Sequence, residues 1–457
     1  MAENKNSKLR YERPLITRMN TGLMNKFGMR TEFTPFTHID GVPVKRIAED
    51  YGSPCFVISE RTIRKTYNNA LRAFKTRYPK VQFAWSYKTN YLNAVCKVFH
   101  QEGSWAEVVS GFEYEKAKRN GVPAEKIIFN GPEKSREELK SAINGGSFIH
   151  IDHFDELYEL ISLTEELNKT AKVAIRVNMD VGVYPLWDRF GFNYESGQAW
   201  NAISKIMAHP KLNLAGLHCH IGTFMLTSQA YGIAAAKLCD LAINMKYKWN
   251  KIIEYLDLGG GFASSNTLRG SYLPGPDLSP SFDDYAEAIT TAILNSGFSQ
   301  DELPTLMLET GRALIDDAGY LIGSVLANKR LSDNRRALVM DFGVNILFTA
   351  FWYEHKITPA QEFTHHSEEV VVYGPLCMNI DKIRESASLP PLNKGDKVVV
   401  HKVGAYNMTQ WMQFIAMRPN VIMIDLKGEP HLIRNAESID TLNNQEITPE
   451  YLNKIAL

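Results

Sequence analysis

Lys88 closes the apolar run in FAWSYKTN. An amine at the wet end of a strand either snorkels to solvent or forms an imine with a carbonyl compound. Gly259-Gly260-Gly261 follows the run YLDL. Such a triplet is either a tight turn or a cradle of backbone N–H groups for an anion, and it is neither a GxGxxG nor a Walker pattern. Glu309-Thr310-Gly311-Arg312 sets an acid and a guanidinium three residues apart. The two form a local ion pair, or they divide the work: Arg312 toward a phosphate, Glu309 toward a ring nitrogen that must stay protonated. His218-Cys219-His220 places both imidazoles on one face of a strand. His218 reads as barrel filling and His220 as a ring able to stack on a flat partner. No carboxylate-rich set lies close in sequence, so no metal is expected. His365-His366, in a polar stretch, reads as solvated loop.

Residues this far apart need a fold to gather them. VQFAWSY, WAEVVS, KIIFNG, SFIHID, VAIRVN, LAGLHCHIG, YLDLGGG and TLMLETG are eight near-continuous apolar runs. Amphipathic stretches such as SREELKSAI and FDELYELISLTEEL separate them. Strands of that kind alternating with helices indicate a parallel sheet buried on both faces. Eight units in about 260 residues suit a (β/α)8 barrel, with a doubly wound sheet as the rival. The regular pattern starts at PCFVIS, read as a short strand leading into the barrel. The fold class expected is α/β: a TIM barrel over residues 46–317 and a mostly antiparallel β domain over 318–457. Residues 1–45 are expected to be an extension that joins the β domain. In a barrel the C-terminal strand ends form one rim. That rim would collect Lys88, Glu107, Asn130, Asp152, Arg176, Asn178, His220, the glycines, Glu309 and Arg312.

Composition narrows the function. The chain has 457 residues, 51 basic and 51 acidic, so no global field attracts nucleic acid or an anionic membrane. The five cysteines lack CxxC spacing, which argues against a disulfide framework or a structural zinc and for a reducing cytoplasm. The polar start MAENKNSKLRYERP is not a secretory leader, and no run of apolar residues is long enough to span a bilayer.

FAWSYKTN, WAEVVSG, GLHCHIGT, LDLGGGF, ETGR, YGPLCMNID and VGAY, in this order, resemble the fold-type III pyridoxal-phosphate decarboxylases. These include diaminopimelate, ornithine and arginine decarboxylases and are related to alanine racemase. The resemblance covers roughly residues 40 to 430. It implies pyridoxal 5'-phosphate as cofactor, with Lys88 as the Schiff-base lysine and His220 stacked on the cofactor ring. Gly259, Gly260, Gly261, Gly311, Arg312 and Tyr406 would serve the phosphate, and Thr223 keeps a hydroxyl where the family usually has Ser. Glu309 would partner the pyridine nitrogen, and Glu107 matches an acid near the cofactor. Cys377 resembles the cysteine that a partner subunit supplies to protonate the substrate carbon. The resemblance thus also implies a homodimer with shared active sites.

Two departures concern the far end of the substrate. Diaminopimelate decarboxylases usually follow the cysteine with Glu-Ser; here Met378, Asn379, Ile380 and Asp381 follow Cys377. They usually carry Arg-Pro where GVNILFTAFWYEH has Thr349-Ala350. Loss of a bidentate carboxylate anchor disfavours a second substrate carboxylate. Tyr353, Glu354, Met378 and Asp381 are therefore the candidates for distal recognition. The expected activity is removal of the α-carboxylate of an amino acid, free and basic or carried on a conjugate or carrier protein. An ordinary meso-diaminopimelate decarboxylase and an amino-acid racemase are the alternatives.

Overall fold

The computed structural model describes residues 34–363 and 367–452. All eight apolar runs form parallel strands: Val81–Ser86, Trp105–Val108, Ile127–Phe129, Phe148–Ile151, Ala171–Asn178, Leu212–His218, Tyr255–Asp257 and Thr305–Leu308. Each pairs with the next, and Thr305–Leu308 returns to Val81–Ser86 with Leu308 opposite Phe83, closing the barrel. Closure leaves these short strands no free edge within the barrel.

The barrel interior is filled by side chains of unequal size. Ala84, Ala174 and Ala215 pack with Phe148, Tyr255, Met307 and Ile128 in one buried cluster. Small residues opposite large ones let a tapering interior fill without voids. The helices start where the sequence offers caps. Ser135 and Glu138 form a reciprocal capping box on Arg136–Gly145, and Gly146 ends that helix in the left-handed conformation at φ +73°.

The second domain is a sheet organised on the long strand Gly319–Arg330. It pairs antiparallel with Lys397–His401 and Arg336–Met340. Two parallel pairings, Arg336–Met340 with Glu368–Tyr373 and Asn420–Ile424 with Cys55–Ser59, interrupt a mostly antiparallel arrangement.

One expectation changes here. Cys55–Ser59, read as leading into the barrel, instead pairs antiparallel with Gly319–Arg330 in this second sheet. Ile39, Val42, Val44 and Ile47 pack on the same sheet against Val57, Ile322, Val399 and Ile422. Residues 46–59 thus belong with the β domain, and the barrel's part begins at the helix Glu60–Lys75. All five residues of Cys55–Ser59 are buried, and a short, fully apolar strand carries no mark of the sheet it will join. Among the described residues no helix is long and apolar enough to cross a membrane.

Candidate active site

A cavity of about 700 Å³ opens at the C-terminal rim of the barrel. Lys88 reaches it from the single turn Tyr87–Thr89 that follows the first barrel strand. Its Nζ donates to both oxygens of Glu107 on the neighbouring strand, at 2.7 and 2.6 Å. Burial pulls the ammonium down, but Glu107, with Glu309 and Tyr406, outweighs it and holds Lys88 above the ordinary lysine value. Before this amine can act as a nucleophile it must lose a proton, and Glu107 is the acceptor already in contact.

Glu309 follows the last barrel strand and is buried. One oxygen accepts from Asn130 Nδ2 at 2.5 Å, and the other lies 3.4 Å from His218 Nε2. His150 Nδ1 is 4.0 Å away, and its Nε2 meets the Tyr255 hydroxyl at 2.9 Å. Burial drives both imidazoles well below the usual histidine value, so they face Glu309 as neutral rings. Ligand-type atoms of His150, His218 and Glu309 lie within 4.8 Å of one another, and neither nitrogen of His218 nor His150 Nδ1 makes a hydrogen bond. His220 lies higher on the wall. Its Nδ1 accepts from the Gly260 N–H at 3.1 Å, which fixes the ring, and burial beside Arg176 and Lys88 keeps it neutral.

A recess of about 40 Å³ opens off the cavity between Thr223, Gly260, Gly261, Gly311, Arg312 and Tyr406. Arg312 is buried, with Nε and Nη1 making no hydrogen bond. Its guanidinium lies over the rings of Tyr406 and Tyr353, 4.7 and 4.8 Å from their centroids. Gly261, at φ +92°, needs glycine twice over, because a Cβ would also strike the Gly222 carbonyl. Tyr406 holds a left-handed backbone at φ +62°, tied by its N–H to the Thr89 carbonyl at 2.8 Å. Strain of that kind persists where surrounding structure fixes a functional side chain. A buried guanidinium that pairs with Asp316 at 3.6 Å but leaves Nε and Nη1 without a hydrogen bond, a glycine cradle, a neutral imidazole wall, a carboxylate floor and an amine fit one ligand: a phosphorylated aromatic aldehyde such as pyridoxal phosphate. Arg312 and the glycines suit its phosphate, Glu309 its ring nitrogen, His220 its ring face and Lys88 its carbonyl carbon.

The structure gathers Lys88, Glu107, His220, Thr223, Gly260, Gly261, Glu309, Gly311, Arg312, Tyr353 and Tyr406 around this space. Gly259, at φ +66°, turns the chain beside His220. Asp152 pairs with Arg176 at 3.7 Å, and Asn178 holds the Phe190 carbonyl.

Four candidates do not line this cavity. Glu354 lines a separate recess and meets Arg384 at 3.4 Å. Asp381 is buried and accepts the Val344 and Leu376 N–H groups, both at 2.8 Å. Cys377 is exposed and Met378 half-buried on the same turn. Thr349 is buried against His355 and Asn407. His365-His366 lies outside the described residues.

An aromatic wall completes the cavity, and no catalytic residue type marks it in the sequence. Tyr184, Trp187 and Phe190, on the segment after the fifth barrel strand, line the cavity with Phe224. Trp187 stands edge-on to His220, with ring centroids 5.6 Å apart. The dense aromatics of YPLWDRF were the available signal. It was easily taken for ordinary loop hydrophobicity.

Residues 63–316 match the family described as "Pyridoxal-dependent decarboxylase, pyridoxal binding domain". The chain is 31% identical over 430 residues to a diaminopimelate decarboxylase of Methanocaldococcus jannaschii, covering 91% of this chain and 95% of that one. It is 28% identical to a diaminopimelate decarboxylase of Bacillus subtilis, over 88% of this chain and 93% of that one. The crystal structure of the M. jannaschii enzyme in complex with L-lysine superposes with a TM-score of 0.83 at 31% identity, covering 91% of this chain and 96% of that one. A lysine/ornithine decarboxylase from Vibrio vulnificus, at 21% identity and a TM-score of 0.71, covers 84% of this chain and 97% of its own and shares the fold.

Proposed function

The chain belongs to the pyridoxal-dependent decarboxylases, and from that premise we propose that it removes the α-carboxylate of a free α-amino acid, with meso-diaminopimelate the first substrate to consider. The observation that carries the reading is the convergence of Lys88, Glu107, Glu309, Arg312 and Tyr406 on one cavity. When bound, pyridoxal phosphate supplies the electron sink that lets carbon dioxide leave. The chain's own residues do the rest. Arg312 and the glycine cradle would hold the phosphate end. Glu309 would place negative charge by the ring nitrogen and so favour its protonated form. His220, whose Nδ1 accepts the Gly260 N–H, would cover one face of the ring. Glu107, already accepting from Lys88 Nζ, is the base in place for the proton that Lys88 must shed.

Cys377 is proposed to complete the site from the other side. Its exposure on this subunit supports a homodimer in which the thiol reaches the partner's cavity and delivers a proton to the substrate carbon. Five unpaired cysteines support a cytoplasmic location.

The relatives named diaminopimelate decarboxylase support meso-diaminopimelate as substrate. A second reading has its own observation. Thr349 is buried away from the cavity, Glu354 is engaged by Arg384, and the wall is aromatic. These favour a substrate whose far end is larger and less charged, such as a conjugated or carrier-bound amino acid. The test is carbon dioxide release with added pyridoxal phosphate from meso-diaminopimelate and both enantiomers of ornithine, lysine and arginine, with Lys88→Ala as control. Release from meso-diaminopimelate, abolished in the control, supports the first reading. A cofactor absorbance band with no release from any free amino acid favours the second or a racemase. No such band overturns the cofactor assignment.

A further inference from the structure

The floor of the cavity carries a buried set of donor atoms with no protein partner. His150 lies on the fourth barrel strand, His218 ends the sixth and Glu309 follows the eighth. Alternate strands of a barrel send their inward side chains into one layer, so the three meet although they are far apart in the chain. All three are buried. His218 Nε2 stands 3.4 Å from one Glu309 oxygen, and His150 Nδ1 stands 4.0 Å from the other. Neither of these nitrogens makes a hydrogen bond, nor does His218 Nδ1. A buried polar atom without a partner is uncommon in a folded chain and points to a ligand or a chemical use. Among the described residues no lysine or arginine pairs with Glu309: Lys88 pairs with Glu107 at 2.6 Å, and Arg176 with Asp152 at 3.7 Å.

We propose that His150, His218 and Glu309 form a zinc site on the cavity floor, and that zinc there excludes the cofactor ring. Two imidazole nitrogens and one carboxylate are a zinc ligand set that leaves the fourth position open. Ligand atoms about 2.1 Å from a tetrahedral ion stand about 3.4 Å apart. That is the His218–Glu309 spacing, and His150 has to close by about 0.6 Å. The supporting contacts are in place. His150 Nε2 meets the Tyr255 hydroxyl at 2.9 Å, which leaves the Nδ1 lone pair free for an ion. A ligating imidazole ordinarily uses its other nitrogen in this way. Asn130 Nδ2 donates to Glu309 Oε1 and orients the carboxylate. His218 and Glu309 line the 700 Å³ cavity and His150 does not, so an ion enters from the cavity and keeps its open position toward it. Spread over three strands, the set leaves no ligand spacing in the sequence. A Glu309 carboxylate held by a dication no longer offers its charge to a ring nitrogen, so zinc and cofactor compete. That last step rests on the proposed function; the ligand set is a property of the chain.

The test titrates the full-length chain, stripped of cofactor, with Zn2+ against a chromophoric chelator, and with Co2+ as a visible substitute. One zinc per chain should bind, and cobalt should develop the intense visible bands of a low-coordinate ion. Tyr255→Phe keeps all three ligands and removes only a hydroxyl, and should weaken zinc about tenfold. His150→Gln and His218→Gln should each weaken it further and abolish the cobalt bands, with thermal melting as the check on folding. Asp425, Glu429 and His431 form the other such cluster among the described residues, at the surface, so His431→Ala should change nothing. Pyridoxal phosphate at ten times its own Kd should weaken zinc about tenfold. No tight zinc overturns the proposal, as does zinc that survives both histidine substitutions, is lost in His431→Ala or is indifferent to bound cofactor. A chain that fails to bind pyridoxal phosphate sinks the proposed function instead, and the zinc and cobalt titrations still decide the site.

Discussion

Alanine at Gly260 would test how tightly the phosphate cradle and the Glu309 carboxylate are coupled. The Gly260 backbone lies outside the left-handed region, so alanine is conformationally allowed there and the fault is steric alone. A Cβ at this position stands 2.5 Å from the Glu309 carbonyl oxygen, where ordinary contact begins at 3.4 Å. One side must therefore give by about 0.9 Å. The Glu309 N–H is bonded to the Gly259 carbonyl at 2.8 Å, so the two strand ends cannot part without breaking that link. The displacement passes to Glu309, and a misplacement of about 1 Å in a positioned group costs on the order of a hundredfold in rate, or about 2.7 kcal/mol. Stability should fall by about 1–3 kcal/mol, the usual cost of overpacking. The assay pairs carbon dioxide release with cofactor titration and urea unfolding. Gly146→Ala is the control: it sits at φ +73° in open space at a helix end, and should cost about 1 kcal/mol of stability while leaving kcat unchanged. Wild-type kcat and cofactor affinity in Gly260→Ala would refute the coupling. So would an equal loss of activity in Gly146→Ala.

Three further outcomes are expected. Lys134 Nζ is buried and donates to Glu156 at 2.6 Å, to the Gly131 carbonyl at 2.7 Å and to the His150 carbonyl at 3.0 Å; Lys134→Met strands a buried carboxylate and should cost about 3–5 kcal/mol in urea unfolding, part of it recovered by adding Glu156→Gln. Burial lowers His355 to about 3 and His401 to about 4; because the unfolded chain takes up these protons near 6.5, stability is complete above that pH and falls below it by about 1.4 kcal/mol per pH unit for each histidine, a slope that Asn or Gln at 355 should flatten. Asp381→Ala removes the acceptor for two backbone N–H groups beneath the Cys377 turn and should lower stability by about 2–3 kcal/mol, read by thermal melting.

How much of this was legible depended on what fixes each residue's place. All eight barrel strands coincide with the apolar runs, because a strand buried on both faces must be apolar throughout. Barrel closure then sends every strand end to one rim, so Lys88, Glu107, Asn130, His220 and Glu309 could be placed together before any contact was known. Cys55–Ser59 could not be assigned, since its partner Gly319–Arg330 lies more than 250 residues away and leaves no imprint on a five-residue strand. Glu354 and Asp381 sit in loops beyond the rim. Their direction is set by Arg384 and by the Val344 and Leu376 amides, which no local pattern announces.

Cys377 is the residue on which motif and geometry pull apart, and the conflict has a testable resolution. The family resemblance of its motif implies a role at the reacting carbon, yet Cys377 is exposed and stands apart from the residues that line the cavity. Both hold if the cavity it serves is the partner's. A Lys88→Ala subunit then lacks the amine in its own cavity but still lends its thiol to the other site. A Cys377→Ala subunit has the amine but lends no thiol. Each variant alone carries two defective sites. Mixed and allowed to exchange, they form hybrid dimers with one intact site and one doubly defective site. Random pairing makes half the dimers hybrid, so activity should rise to about a quarter of the parent level. The rise should need time for subunit exchange and should fail when both variants are crosslinked beforehand. If the mixture shows no more activity than its two components, Cys377 acts within its own subunit or not at all, and the shared-site arrangement falls with it.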